Sequence, residues 1–403
     1  MNVAFFTDTF LPKFDGIVTS VLNTAGELIR RGHRVLIVAP RIRKEQDEEI
    51  KKHNPDLEFM LIPGVPALFY PDFRLTPPAA PWVISRLKKF QPDVLHFHTP
   101  FTMGFEAIVA SRILKKPLVG TFHTYFGETE YLKIVNLHWV PGLVELGWAF
   151  SNFYHNRCDV TISPSRFTAE ELIRKKIKSP VRIISNGIPL KEARSLSEAE
   201  KILIRQKYNL KEKVMLFVGR VSEEKCLDVL IKASAEVFKK RQDVSLLIVG
   251  DGPGLGRVKK LIKELSVEDS IILSGYVPHD ELIDSGIFEI SSFFVTASTS
   301  ENQPMTIIES CMLGLPLIGV NARGVPEMID KNGFIAEPGN YNEIAGYMLR
   351  LLEDDYLRSE MSAASLKQGK KYDIKNTTDE MLALYEELIR SGRGFSKKQQ
   401  DKL

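Results

Sequence analysis

Short apolar, β-prone runs alternate with longer amphipathic stretches along almost the whole chain. Val3-Ala-Phe-Phe6, Val35-Leu-Ile-Val-Ala39, Asp93-Val-Leu-His-Phe97, Pro117-Leu-Val-Gly-Thr121, Val160-Thr-Ile162 and Arg182-Ile-Ile-Ser185 mark strands in the first half. Val214-Met-Leu-Phe-Val218, Val244-Ser-Leu-Leu-Ile-Val249, Ile271-Ile-Leu273, Ser292-Phe-Phe-Val-Thr-Ala297 and Leu317-Ile-Gly-Val320 mark strands in the second. Helices are predicted over Ile17 to Arg31 and Leu227 to Lys240, each following a strand and a Gly-containing loop. Two β-loop-α-β openings of roughly 35 residues each have the size of a right-handed crossover unit, so two parallel-sheet, Rossmann-like domains are expected. The boundary falls at the turn-rich Ser185-Asn-Gly-Ile-Pro189, giving domains over 1–187 and 188–373. A helix over about 374–392 is expected to pack back on the first domain, and 393–403 to be a disordered tail.

Composition adds exclusions. With 403 residues, 44% hydrophobic and 26% charged, the chain is an ordinary soluble globular protein too long for one core. Fifty-four Lys+Arg against 51 Asp+Glu leave +3, which is no nucleic-acid footprint. Cys158, Cys226 and Cys311 are isolated and odd in number, which argues for a reducing compartment. Neither a signal peptide nor a membrane span is read, and the expected location is cytoplasmic, at most peripheral on the inner face of the membrane.

The densest chemistry lies in Ser300-Glu-Asn-Gln-Pro-Met-Thr-Ile-Ile-Glu309. Glu301 falls on the loop at a strand's carboxyl end, and Glu309 about a turn and a half into the next helix. Pro304 is placed at the first helical position, where a missing N–H costs nothing. Between the two carboxylates lies a helix N-terminus able to take phosphate. A nucleotide-sugar, with hydroxyls at both ends and phosphates between, suits that arrangement.

Gly219-Arg-Val-Ser-Glu-Glu-Lys225, Val249-Gly-Asp-Gly-Pro253, Ser274-Gly-Tyr-Val277, Glu301-x7-Glu309, and Gly314-Leu-Pro-Leu-Ile318 leading to Gly324-Val-Pro-Glu327 occur in one order. In this order and spacing they resemble the retaining GT-B glycosyltransferases of family 4. The resemblance implies an α/β GT-B fold, two Rossmann-like domains with parallel sheets facing across a deep cleft. It implies a hexosyltransferase taking a UDP- or GDP-hexose co-substrate, with no further cofactor and no metal. Arg220 and Lys225 then meet the diphosphate; the bland alternative is a solvated loop in which Glu223 and Glu224 pair with both cations. Glu309 accepts from ribose hydroxyls, and Glu301 lies near sugar and diphosphate, neither acting as a nucleophile. Gly16, Gly219, Tyr276, Val277, Gln303, Met305 and Thr306 complete the donor-binding set, the backbone of residues 303, 305 and 306 cradling phosphate. His123 stands beside the anomeric carbon. Cys226 and Asn302-Gln-Pro-Met305 depart from the usual family pattern, which has glycine at the former position. His96 and His98 are read as alternating faces, so that one at most reaches the site, and as no zinc site.

Acceptor candidates lie in the first domain. Phe69, Tyr70 and Phe73 form one aromatic group, while Tyr125 opens another that runs to Tyr154 beside the basic Arg174-Lys-Lys-Ile-Lys178, with Lys175 and Lys176. Aromatic and basic groups together fit an anionic membrane surface. The layout from His123 to Ser165 is similar to diacylglycerol glucosyltransferases, so a lipid acceptor is expected. A soluble sugar or polyol-phosphate acceptor, and a nucleotide-sugar epimerase needing no acceptor, are the alternatives.

Overall fold

The computed structural model describes residues 1–12, 15–43, 45–67, 70–77, 81–123, 142–189 and 196–391; the side chains of 53, 67, 70–73, 279 and 280 are not described. Two compact units divide the chain: Met1–Pro189 with Ile374–Leu403, and Leu190–Asp373.

In the first unit the strands are β1 (Asn2–Phe6), β2 (Arg34–Arg41), β3 (Glu58–Pro63), β4 (Val65–Ala67), β5 (Tyr70–Leu75), β6 (Val94–Phe97), β7 (Leu118–Thr121), β8 (Val160–Ser163) and β9 (Val181–Ile183). Seven of them form a parallel sheet in the order β3-β2-β1-β6-β7-β8-β9, and β4 and β5 make a separate antiparallel hairpin. Near-continuous apolar strands are what a sheet covered on both faces requires. Val3, Phe5, Val94 and Val160 pack on one face, and Ala4, Phe6, Leu95 and Phe97 on the other. The helix Gly16–Arg30 follows β1. Asp15 caps it, accepting from the amides of Ile17 (3.0 Å) and Val18 (2.9 Å).

The helix Ile374–Ser391 belongs to this unit. Its Met381, Leu384, Tyr385 and Leu388 enter the core on the Phe5 face of the sheet, and Arg31 pairs with Asp379. The Ile374 amide donates to the Ile188 carbonyl at 2.9 Å. The approach at Gly187 is so close that a Cβ there would stand 2.1 Å from Thr377 Oγ1.

In the second unit, β10 (Lys213–Val218), β11 (Val244–Val249), β12 (Ile271–Gly275), β13 (Phe293–Val295), β14 (Leu317–Val320) and β15 (Gly333–Ala336) form a parallel sheet in the order β12-β11-β10-β13-β14-β15. Each sheet reverses its strand order once, between β1 and β6 and between β10 and β13. Open α/β sheets bind ligands at the carboxyl ends of strands flanking such a reversal.

Candidate functional site

The reversal between β10 and β13 sets two loops side by side. The first runs from Gly219 through a 3₁₀ turn, Glu223–Lys225, into the helix Leu227–Phe238. At its end Cys226 has φ 49° and ψ 42°, a left-handed conformation that explains why glycine suits this position. The second runs from Ala297 to Pro304 and enters the helix Met305–Met312. Ser298 Oγ (3.2 Å) and the Thr299 amide (3.3 Å) both donate to the Glu224 carbonyl, lacing the loops together. Lys225 Nζ donates to Glu301 Oε1 at 2.5 Å, with side chains only 19% and 14% exposed. Lys225 thus reaches across to the second loop and not to its chain neighbours: Glu224 accepts from Ser222 Oγ, and Glu223 lies 3.9 Å from Arg257. Arg220 is exposed directly after Gly219.

Two glycines permit this closeness. The Gly324 amide donates to the Glu301 carbonyl at 3.1 Å, and a Cβ on Gly324 would stand 1.7 Å from the Asn302 carbonyl oxygen. A Cβ on Gly250, whose φ is +142°, would stand 1.9 Å from the Gly219 carbonyl oxygen. The Gly324 segment therefore backs the Glu301 loop, and Gly250 backs the Arg220 loop.

Pro304 is the cap residue and not the first helical residue, because its ψ of 125° is extended. Its carbonyl accepts from the amides of Ile307 (3.1 Å) and Ile308 (3.3 Å). Among the described residues no acceptor faces the amides of Met305 and Thr306, so the helix offers two donors at its positive end. Glu309 lies one turn on from Met305 and is 3% exposed; Gln303 is also buried. Tyr276 is exposed and Val277 partly so, just after β12. Arg220, Lys225, Glu301, Gln303, Met305, Thr306 and Glu309 thus share one pair of adjacent loops and one helix start. Such a place can hold an anion by two side-chain cations and two amides, flanked by carboxylates that accept from hydroxyls.

The reversal between β1 and β6 builds a different kind of site. Asp8, just beyond β1, accepts from Thr99 Oγ1 (2.6 Å), Thr102 Oγ1 (2.7 Å) and the Met103 amide (3.0 Å). Its burial outweighs these bonds and pushes the carboxyl up to about 6. His98, just beyond β6, has Nδ1 3.1 Å from His123 Nε2, and His123 follows β7. His96 and His98 lie on the same face, correcting the expectation of alternate faces: residues two apart on a strand point the same way, and their rings stack 4.3 Å apart. His96 Nδ1 is 2.7 Å from Tyr385 Oη and its Nε2 2.6 Å from Thr121 Oγ1. Burial holds His96 down to about 3 and, with the neighbouring imidazoles, His98 well below the usual range. His123 keeps some exposure, but its ring is enclosed, which pushes it down to about 4. All three are therefore neutral near pH 7. Gly16 opens the helix after β1, where Asp15 already occupies the amides of residues 17 and 18.

Of the acceptor candidates, Phe69 and Tyr125 lie outside the described residues, and Tyr70 and Phe73 are on β5, where side chains are not described. Trp148 and Tyr154 are core residues. Leu146, Phe150 and Phe153 are exposed at 62%, 37% and 41% on the helix Leu143–His155, spaced to form one stripe that Arg157 continues. Lys175 Nζ stands over the Trp148 ring at 5.0 Å, Lys176 follows it exposed, and the Asn152 side-chain amide donates to the Lys175 carbonyl. Asp8, Tyr385 and Thr378 were missed in sequence. The polar Thr7-Asp-Thr9 at a strand end was a usable signal for Asp8; Tyr385 and Thr378 sit in a helical pattern that reads only as core.

The family described as Glycosyltransferase Family 4 matches residues 14–192, and that described as Glycosyl transferases group 1 matches residues 200–368. The chain is 29% identical over 356 residues to an alpha-monoglucosyldiacylglycerol synthase of Streptococcus pneumoniae, covering 87% of this chain and 78% of the relative. It is 30% identical over 327 residues to the protein of that name from Acholeplasma laidlawii, covering 79% and 80%. Among solved structures, Anabaena Alr3699/HepE in complex with UDP is similar with a TM-score of 0.77 and 18% identity, covering 96% of this chain and 100% of that one.

Proposed function

The chain belongs to the GT-B glycosyltransferases of family 4, and from that premise we propose the following reaction. A hexosyl group passes from a UDP- or GDP-sugar, with retention and without a metal ion, to a hydroxyl of a membrane lipid such as diacylglycerol. The observation that carries the donor half is the lacing of the β10 and β13 loops, which brings Lys225 onto Glu301 beside the open amides of Met305 and Thr306. Arg220, Lys225 and these amides meet the diphosphate as it leaves, so the charge a metal would supply comes from the chain itself. Glu309 accepts from the ribose hydroxyls, Tyr276 and Val277 border the base, and Gln303 and Gly219 line the diphosphate. Glu301, held by Lys225, accepts from the sugar, and the family resemblance gives His123 the role of a sugar contact. Retention follows a front-face path: the glycosidic C–O bond breaks, the acceptor oxygen bonds on the same face, and its proton passes to the departing phosphate.

Two observations favour a lipid acceptor over a soluble one. The two relatives above are named for diacylglycerol glycolipid synthesis. The Leu146–Phe150–Phe153 stripe, with Arg157, Lys175 and Lys176 nearby in the chain, joins apolar surface to cations as an anionic bilayer requires. No described helix is long and apolar enough to cross a membrane. The test incubates the protein with UDP-glucose or GDP-mannose and diacylglycerol in anionic vesicles, with EDTA present. Glycolipid formed at an undiminished rate is expected. Activity abolished by EDTA and restored by Mg²⁺ overturns metal independence; transfer only to a soluble sugar overturns the lipid acceptor.

A further inference from the structure

We infer that the helix Ile374–Ser391 is a positioning element for His123, acting through Tyr385 on His96 and through a water held between Thr378 and His98. The inference rests on the reading of His123 as a donor-sugar contact and deepens it.

The first link is a hydrogen-bond assignment. Tyr385 is fully buried, and among the described residues its hydroxyl meets a partner in His96 Nδ1 alone. A buried phenol must donate, so the O–H points to Nδ1 and His96 carries its hydrogen on Nε2. That N–H donates to Thr121 Oγ1, which leaves the Thr121 hydrogen to be placed elsewhere.

The second link is a cavity. A pocket of about 20 Å³, room for one water, is lined among others by Thr121, His98, His123, Asn186, Thr378 and Met381. His98 and Thr378 are 3% and 1% exposed, and His98 Nε2 and Thr378 Oγ1 are buried without a hydrogen-bond partner. Each such atom left bare is costly, and a single water satisfies both. The water accepts from Thr121 and donates to His98 Nε2 and Thr378 Oγ1. His98 then carries its hydrogen on Nδ1 and donates it across 3.1 Å to His123 Nε2. His123 is left with its own hydrogen on Nδ1, a fixed donor. Ring stacking of His96 on His98, and of His98 on His123 with centroids 5.4 Å apart, fixes the planes along which these bonds run. A helix distant in sequence thereby sets the tautomer and tilt of a side chain after β7.

Tyr385→Phe keeps the ring and removes the donor; Thr378→Val removes the hydroxyl at equal volume, and Thr378→Ser restores it. Full-length proteins labelled with ¹⁵N-histidine report the tautomers by long-range proton–nitrogen NMR, and release of nucleoside diphosphate from UDP-glucose or GDP-mannose reports turnover. Expected are Nε2–H on His96 and Nδ1–H on His98 and His123 in the parent. In the Tyr385→Phe and Thr378→Val proteins the His98 and His123 signals mix, kcat falls about tenfold and KM stays level. Thr378→Ser recovers both. Unchanged His98 and His123 signals in both variants overturn the relay, whatever happens to turnover. His123→Ala with parental kcat overturns the reading of His123 as a sugar contact, while the tautomer result still decides the relay.

Discussion

Gly324→Ala is the sharpest perturbation of the donor loops. It removes no group proposed to contact the ligand, yet its Cβ would arrive 1.7 Å from the Asn302 carbonyl oxygen, and a Cβ rarely stands within 3.0 Å of anything. The 301–303 backbone must therefore move by at least about 1.3 Å, or the Gly324 segment must retreat by as much and lose its bond to the Glu301 carbonyl. Both atoms that collide are tied to backbone, so no side-chain rotation relieves the clash. Overpacking of this kind costs about 1–3 kcal/mol of stability. A displacement near 1 Å in a positioning loop can lower catalysis about a hundredfold. Glu301 and the ammonium it holds would both leave their places, so kcat/KM for the donor should fall about a hundredfold. Nucleoside diphosphate release measures the activity and urea unfolding measures the stability. Gly256→Ala is the control: a helical site with nothing within 4 Å of its Cβ, expected to gain up to about 1 kcal/mol with full activity. A Gly324→Ala protein that loses stability as expected but keeps parental kcat/KM would refute the claim that this glycine holds the loop in its working position.

Glu309→Gln should weaken binding of UDP or GDP about tenfold to a hundredfold, since bonds to a charged acceptor contribute roughly 1.5–3 kcal/mol; calorimetry showing equal affinity removes Glu309 from the ribose. Asp8 has a folded value raised from 3.8 to about 6, so the stability it contributes is full below pH 3.8 and lost as the pH rises through 6. Asp8→Asn should consequently gain on the parent by up to about 3 kcal/mol between pH 4 and 7, and parallel urea midpoints across that range would contradict the assignment. Replacing Leu146, Phe150 and Phe153 together by Ser should lower the thermal midpoint, because the Phe150 and Phe153 rings pack on Phe101 and Tyr154, and, in protein still folded at the assay temperature, reduce sedimentation with anionic vesicles at least about tenfold. Undiminished sedimentation would move the membrane contact elsewhere.

Both parallel sheets were legible because buried parallel strands are written as continuous apolar runs. The edge strands β3 and β15 were not, since Glu58-Phe-Met-Leu-Ile-Pro63 is mostly half-buried and carries a charge and a proline, and Gly333-Phe-Ile-Ala336 is short, mostly half-buried and opens on glycine. The β4–β5 hairpin was hidden by prolines at 66 and 71, which read as breaks but are tolerated at an edge. In the donor loops the relevant residues are close in sequence and fall into motifs. The structure adds their partners, above all Lys225 on Glu301. The histidine cluster was misread for a local reason, the sharing of a face by residues two apart on a strand. Its partners were illegible for a global one, because Tyr385 lies 289 residues from His96.

The two reversals of strand order solve one problem with opposite materials. Between β10 and β13 the backbone does the work: glycines admit loops to within contact of one another, and cations and amides stand at the surface of that packing. Changes there act by displacement, so adding one carbon is severe while a charge-conserving change is graded. Between β1 and β6 buried polar side chains do the work, with neutral imidazoles, hydroxyls and one carboxyl hydrogen-bonded among themselves. Changes to these side chains act through which atom holds a proton, so removing one oxygen suffices. A low-dielectric network of this kind is stable only when every member is satisfied. Two of its atoms, His98 Nε2 and Thr378 Oγ1, are satisfied only once a water fills the cavity they line. The first unit therefore depends on the helix Ile374–Ser391 for its chemistry as well as its core, and shortening the chain before Thr378 should cost activity beyond what restored stability could recover.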